Sequence, residues 1–314
     1  MQQDKTNRHG VLLLACLLLA SGPFFAGCGS EPDSGMFEDD GRVKVLATTT
    51  MIADAARVIA GDDAQVVGVM REGEDPHTFK VAPKHGSAVL EADLVLANGL
   101  HLESTFDKIL KDKGEGKTVY LAEQASIKPI SDAGAEGAPD PHCWMDVVLF
   151  KRYAEGIRDA LIEADPGNEA GYRERAEAYL KELDELDAWV RSQFERVPAE
   201  RRVIITSHDA FNYFGRAYGI EVHGVVGIST EQQATSRDVQ RLEQLIRDRG
   251  IRAVFYETSV TNNLNKLIEQ IAEETGVAVG GELFSDSLGK RGEPGGTYIG
   301  MIRHNTTTMV EALE

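Results

Sequence analysis

Cysteine is scarce in this chain. Of 314 residues only Cys16, Cys28 and Cys143 carry a thiol, and the first two lie within the first 28 residues. A fold stapled by disulfides is therefore excluded. Positive charge is also short: 33 Lys and Arg stand against 51 Asp and Glu, a formal net charge of −18. A general nucleic-acid binder needs a basic face, and this balance argues against one. It suits solubility and the attraction of cations. No apolar run approaches the ~20 residues that cross a bilayer as a helix. His-Glu-x-x-His is missing, as is any His-x-His pair, so the usual ligand-and-base pattern of a zinc hydrolase is absent. What is present excludes disorder: 42% of residues are hydrophobic, enough for a packed interior. The length suits two medium domains or one large one. No fixed-period repeat is present.

The start of the chain reads as an export signal. Lys5 and Arg8 precede a ten-residue apolar run, Val11 to Ala20. That run is too short to span a membrane and right for a signal-peptide core. It ends in Phe25-Ala26-Gly27-Cys28, which looks like a lipobox, with small residues before a Cys that receives lipid. We expect residues 1–27 to be removed, Cys28 to be lipidated, and 28–42, rich in Gly, Ser, Pro and acids, to serve as a flexible tether. The product is an exported, membrane-anchored lipoprotein, periplasmic or on the outer face of the cytoplasmic membrane.

From Val43 the pattern changes. Apolar runs at 43–47, 66–69, 94–97 and 119–121 alternate with helical stretches, and four more follow at 203–206, 222–226, 253–256 and 277–279. Short runs apolar throughout mark parallel strands buried on both faces. The alternation predicts an α/β fold of two lobes, each a four-stranded parallel sheet covered by helices. Between the two sets, Pro166-Gly167-Asn168 punctuates the chain, and Asn168 is a candidate N-cap. Tyr172, Ala176, Tyr179, Leu183, Leu186, Val190, Phe194 and Val197 then recur at spacings of three and four until Pro198. This predicts one amphipathic helix of about 29 residues, roughly 43 Å long. A surface helix on one domain is the simpler reading. Its position between two strand sets favours a stiff strut across both lobes. The expected organisation is an N-terminal lobe at 43–167, a linking helix at 168–198 and a C-terminal lobe at 199–314. Residues 127–140 read as a flexible loop.

The chemistry is concentrated in histidines. Asp75-Pro76-His77 and Asp140-Pro141-His142 repeat one tripeptide about 65 residues apart, and His208 lies in Thr206-Ser207-His208-Asp209. Pro fixes the local backbone, and a nearby Asp can orient an imidazole through its second nitrogen. His77 follows the second predicted strand. His208 and Asp286 follow strands of the second set, at carboxyl ends where ligands gather in α/β sheets. Three imidazoles and one carboxylate make a closed four-ligand set for a divalent ion, two from each lobe. Imidazoles must be neutral to coordinate, so protons should compete with metal below about pH 6.

At this point the chain resembles the metal-binding receptors, or substrate-binding lipoproteins, of bacterial zinc and manganese ABC importers (cluster A-I), from about Val45 to Leu313. The matching segments run from Thr48-Thr49-Thr50-Met51 and Gly73-Glu74-Asp75-Pro76-His77 through Asn98-Gly99-Leu100 and Asp140-Pro141-His142. Later ones are Ser207-His208-Asp209, Ser285-Asp286-Ser287-Leu288-Gly289 and Thr297-Tyr298-Ile299-Gly300 with Asn305. Singly each is weak; in order they are specific. The resemblance implies His77, His142, His208 and Asp286 as metal ligands, and two α/β lobes joined by one long helix. It implies capture of Zn2+ or Mn2+ for an ABC permease and its ATPase. No enzymatic activity is implied, and a monomer is expected.

Departures bear on the metal. The loop at 127–140 contains no His, whereas many zinc receptors carry a His-rich loop there. Many manganese receptors have Glu where this chain has His208. Three nitrogen donors favour zinc, since manganese prefers oxygen, and manganese is the alternative. Cys143 stands where an aliphatic residue is common; a thiolate ligand is conceivable, a packed core Cys the plainer reading. Glu257, ending a strand, reads equally as support for the site or as a solvated strand-end carboxylate. His85, His101, His223 and His304 read as ordinary histidines, and Asp54 as a carboxylate favoured by its own helix dipole. Outside transport the alternative is a surface adhesin, which a cell-binding assay with and without metal would separate. No adhesive patch is evident.

Overall fold

The computed structural model describes residues 35–124, 126–130 and 139–314. The expected signal peptide, Cys28 and most of the loop at 127–140 lie outside the described residues. The N-terminal lobe runs β1 (Val43–Ala47), α1 (Thr50–Ala60), β2 (Ala64–Gly68), α2 (Pro83–Glu91), β3 (Leu94–Ala97), α3 (Ser104–Lys113) and β4 (Thr118–Tyr120). Then α4 (Val147–Ala164) and α5 (Glu169–Phe194) lead to the second lobe. This comprises β5 (Val203–His208), α6 (Asn212–Tyr218), β6 (Glu221–Val226), α7 (Ser236–Arg249), β7 (Ala253–Glu257), α8 (Asn262–Thr275), β8 (Ala278–Leu283) and α9 (Tyr298–Leu313).

Each lobe holds one four-stranded sheet, ordered β2-β1-β3-β4 and β6-β5-β7-β8, with every pairing parallel. The predicted class is therefore observed. All four residues of β3 and all six of β5 are buried, as doubly covered strands require. Strand order reverses between β1 and β3, and again between β5 and β7. Carboxyl ends at such a reversal diverge and leave a crevice, where α/β sheets bind ligands.

Two strands run two or more residues past the carboxyl ends of their apolar runs. β5 continues to His208, because His208 stays in register with Val226 of β6. β8 extends over Gly280, Gly281 and Glu282, which break the apolar pattern; pairing with Phe255, Tyr256 and Glu257 of β7, past a register shift, carries the ladder.

The long helix is present, with two corrections. It has 26 residues, or about 39 Å, because it stops at Phe194: the Arg196 and Val197 N–H groups bond three residues back, to Gln193 and Phe194, in a closing turn before Pro198. Asn168 does not cap it; its amide donates instead to Asp165 Oδ2 at 2.7 Å. The buried stripe from Tyr172 to Phe194 is the predicted one. Through it α5 packs on α1 and α4 of one lobe and on α6 and α9 of the other. One hydrophobic cluster runs continuously from Val45 and Ile52 through Phe150 and Leu183 to Phe214, Tyr298 and Leu313. Smaller clusters fill the outer side of each sheet. Phe37 is buried in the outer cluster of the first lobe, and the Glu38 N–H donates to Gln65 Oε1 at 2.7 Å. From Phe37 onward the segment expected as tether is thus packed on the lobe.

Candidate metal centre

Each Asp-Pro-His tripeptide works the same way. Asp75 Oδ1 accepts the His77 N–H at 2.9 Å, and Asp140 Oδ1 accepts the His142 N–H at 2.9 Å. The proline between supplies no N–H and holds the backbone, so the aspartate closes a tight side-chain turn that aims the histidine. Asp140 Oδ1 also lies 2.8 Å from His142 Nδ1, leaving Nε2 to face inward. The Asn98 amide, just beyond β3, donates to the Pro141 carbonyl at 3.1 Å. Buried Glu103 braces this corner, taking N–H bonds from Asn98 (2.7 Å) and Gly99 (3.1 Å) and the Thr48 hydroxyl at 2.6 Å.

On the other side, His208 is the last residue of β5 and Glu257 the last of β7. Glu257 Oε1 accepts the His208 N–H at 2.8 Å, and Oε2 lies 2.8 Å from His208 Nδ1, off the line of a straight hydrogen bond. Asp286 follows β8; its N–H donates to Ser259 Oγ at 3.2 Å, and Trp144 Nε1 holds the Ser285 carbonyl at 3.0 Å.

These elements bring His77, His142, His208 and Asp286 together, all buried, with one ligand atom from each lying within 4.8 Å of the others. His77 Nε2 is 3.3 Å from His142 Nε2 and 3.7 Å from Asp286 Oδ2. His142 Nε2 is 3.4 Å from Asp286 Oδ1, and His208 Nε2 is 3.1 Å from Oδ2. A tetrahedral ion with bonds of about 2.0–2.1 Å sets its donors about 3.4 Å apart, so these edges suit one. Both Asp286 oxygens and both His208 ring nitrogens are enclosed without a well-aligned hydrogen bond among the described residues. Buried polar atoms rarely stay unpaired; the Asp286 oxygens and the Nε2 atoms of the three imidazoles face one another and suit a cation that replaces the proton on His208.

The electrostatics divide the imidazoles. Burial pushes His77 down to about 3, against the pull of Asp286, so its ring is neutral at ordinary pH. Burial acts on His208 in the same direction, but the Glu257 and Asp286 carboxylates outweigh it and hold His208 well above its usual range. Burial alone would raise Asp286; His208, His142 and His77 hold it below the usual carboxylate range instead. Glu257 and Asp286 thus favour a proton on His208, and an incoming cation must displace it.

The other candidates separate cleanly. Glu257 is fully buried against His208 and is no solvated strand end. Cys143 is buried next to the cluster but outside it, its Sγ 4.0 Å from the Asp140 carbonyl, and burial pushes its thiol up to about 12. His85 Nδ1 accepts the Ala82 N–H at 2.9 Å at the start of α2. His223 meets Glu221, His304 the Glu282 carbonyl, and His101 is exposed. Asp54 is corrected: it serves another helix, accepting the Tyr298 N–H at the start of α9 at 2.8 Å. Sequence reasoning missed the bracing role of Asn98 and Glu103. Asn98 was visible only as part of a matching segment, and Glu103 gave no signal.

Residues 45–312 match the family model described as zinc-uptake complex component A, periplasmic. The chain belongs to this family. Members of the zinc-uptake component A family are solute-binding parts of transport systems. The manganese-binding lipoprotein MntA of Bacillus subtilis is 37% identical over 305 residues, covering 96% of this chain and 99% of its own. The zinc-binding protein TroA of Treponema pallidum is 39% identical over 277 residues, covering 87% of this chain and 90% of its own. The solved structure of periplasmic TroA superposes with a TM-score of 0.82 over 87% of this chain and 99% of that one. A manganese-bound periplasmic metal-binding protein from Candidatus Liberibacter asiaticus, 28% identical, gives 0.79 over 87% of this chain and 100% of that one. Similar proteins thus include both zinc and manganese binders. Among the described residues no helix is long and apolar enough to cross a membrane.

Proposed function

We propose that this protein captures one divalent metal ion outside the cytoplasmic membrane and delivers it to an ABC permease. His77, His142, His208 and Asp286 are the ligands, and zinc is the favoured cargo over manganese. The observation that carries this reading is the buried cluster itself, with four donor-to-donor separations of 3.1–3.7 Å and both Asp286 oxygens without a well-aligned hydrogen bond among the described residues. Three imidazoles and one carboxylate form a borderline-soft set suited to zinc. A site with four protein donors offers no open position for an activated water, so it holds an ion rather than hydrolysing a substrate. Membership of an uptake family and the lipoprotein names of relatives support delivery to a permease with its ATPase and anchoring through lipid on Cys28; in this reading the protein, freed of residues 1–27, acts as a monomer.

Metal analysis of protein purified without chelator, followed by zinc–manganese competition, tests the reading. We expect one equivalent of zinc and displacement of manganese by zinc. Less than a tenth of an equivalent after incubation with either metal would reject ion capture. Preference for manganese would reverse the assignment of the cargo alone.

A further inference from the structure

The segment that carries His77 is held by the opposite lobe more than by its own. Before it, the Met70 N–H is bonded to the Thr48 carbonyl; after it, the Thr105 hydroxyl holds the Phe79 carbonyl at 2.8 Å. Between these anchors, residues 71–78 make hydrogen bonds of two kinds among the described residues, apart from the contact between the His77 and His142 rings. Some are internal: Arg71 with Glu74, and Asp75 with His77 and Thr78. The rest cross the cleft. The Gly73 N–H donates to Ser287 Oγ at 2.7 Å, and the Thr230 hydroxyl donates to Asp75 Oδ2 at 2.6 Å. Ser287 also approaches the Arg71 carbonyl at 3.5 Å, and the neighbouring Leu288 N–H donates to Thr50 Oγ1 at 2.9 Å.

Asp75 links the two roles. One carboxylate oxygen holds the backbone of His77, and the other takes the Thr230 hydroxyl. Thr230 lies in the loop after β6 and is 7% exposed, so water competes little for that bond. Ser287 adjoins Asp286 in sequence, so its bond to Gly73 ties together the segments that carry two opposed members of the cluster.

We infer that Thr230 and Ser287 are positioning residues that hold the His77 segment shut from the far lobe and so set how long a captured ion stays. The inference rests on the ion-capture reading. Because the lobes share one core to which residues 71–78 do not contribute, this segment can open without breaking that core. A permease that draws the segment off Thr230 and Ser287 would withdraw His77 from the ion while leaving His208 and Asp286 in place.

The test uses the full mature chain loaded with zinc and measures dissociation into excess chelator by stopped flow. Thr230→Val keeps the shape and removes the hydroxyl; Thr230→Ser restores it; Ser287→Ala removes the second bond. A hydrogen bond to a charged group is strong enough for its loss to speed release about 10- to 100-fold, so we expect that in Thr230→Val and a smaller rise in Ser287→Ala. Thr230→Ser should return to within about threefold of wild type on the same reasoning. In metal-free protein, amide exchange should quicken over residues 71–78 in Thr230→Val while α5 is unaffected. Release at the wild-type rate in both Thr230→Val and Ser287→Ala, with wild type binding zinc tightly, overturns this inference and leaves ion capture intact. Equal acceleration by Thr230→Ser and Thr230→Val also overturns it, because the hydroxyl would then be irrelevant. A wild type that binds no zinc overturns both readings.

Discussion

Replacing Glu257 by Gln removes one negative charge and little volume from behind His208. In the wild type, Oε1 accepts the His208 N–H at 2.8 Å and Oε2 sits 2.8 Å from Nδ1. A glutamine carbonyl can keep the first contact. Its NH2 then faces Nδ1, donor against donor, unless the ring takes the tautomer that places its proton on Nε2 and points it at the ion. Loss of a partner behind a metal-binding His weakens affinity about 10- to 100-fold, or about 1.4–2.7 kcal/mol. We expect the upper half of that range for Glu257→Gln, since both ways out are unfavourable. Calorimetric titration with zinc at pH 7 reads it. The same titration in buffers of different ionisation enthalpy counts released protons. Glu257 and Asp286 hold His208 protonated above its usual range, so zinc must expel that proton. Wild-type affinity should therefore rise about tenfold per pH unit up to the raised His208 pKa and level off above it. His77, pushed down to about 3, adds no competition at ordinary pH. Glu257→Gln lowers the His208 pKa and should release fewer protons per zinc. Affinity within twofold of wild type, with an unchanged proton count, would refute the argument that Glu257 acts through His208.

Alanine at His77, His142, His208 or Asp286 should each weaken zinc binding at least ~100-fold, since each removes a whole ligand from a four-donor set; near wild-type affinity in any two rejects the ligand assignment. Zinc should change the radius of gyration by less than ~1 Å, because helix bending needs a Gly or Pro within the span, and α5 has only Gly171 near its start and a core shared by both lobes. A change of several Å by small-angle scattering contradicts this. Mass spectrometry of the mature N-terminus should find lipid on Cys28, and an unmodified terminus at another residue rejects the anchor.

Much of this protein was readable along the chain because the relevant forces are local. Strand runs, the α5 stripe and the paired Asp-Pro-His turns each depend on residues within a few positions, where backbone periodicity and the missing proline N–H decide the geometry. The limits of local reading show at the ends of elements. Asn168 met Asp165 before it could cap α5, and β8 crossed two glycines because β7 supplied its partners.

The sequence by itself determined two parallel α/β lobes, the helix between them, and the histidines set apart by an Asp-Pro-His turn or by a strand end. Only the tertiary structure decided what surrounds those histidines. Glu257 and His208 are 49 positions apart, Asp75 and Thr230 are 155, and Asp54 and the Tyr298 N–H are 244. No short-range pattern distinguishes a carboxylate that will end buried against an imidazole from one that will face water. That outcome follows from how the sheets order their strands and how one core holds both lobes together, and burial then turns an ordinary Glu, Thr or Ser into a group that sets the charge and closure of the site.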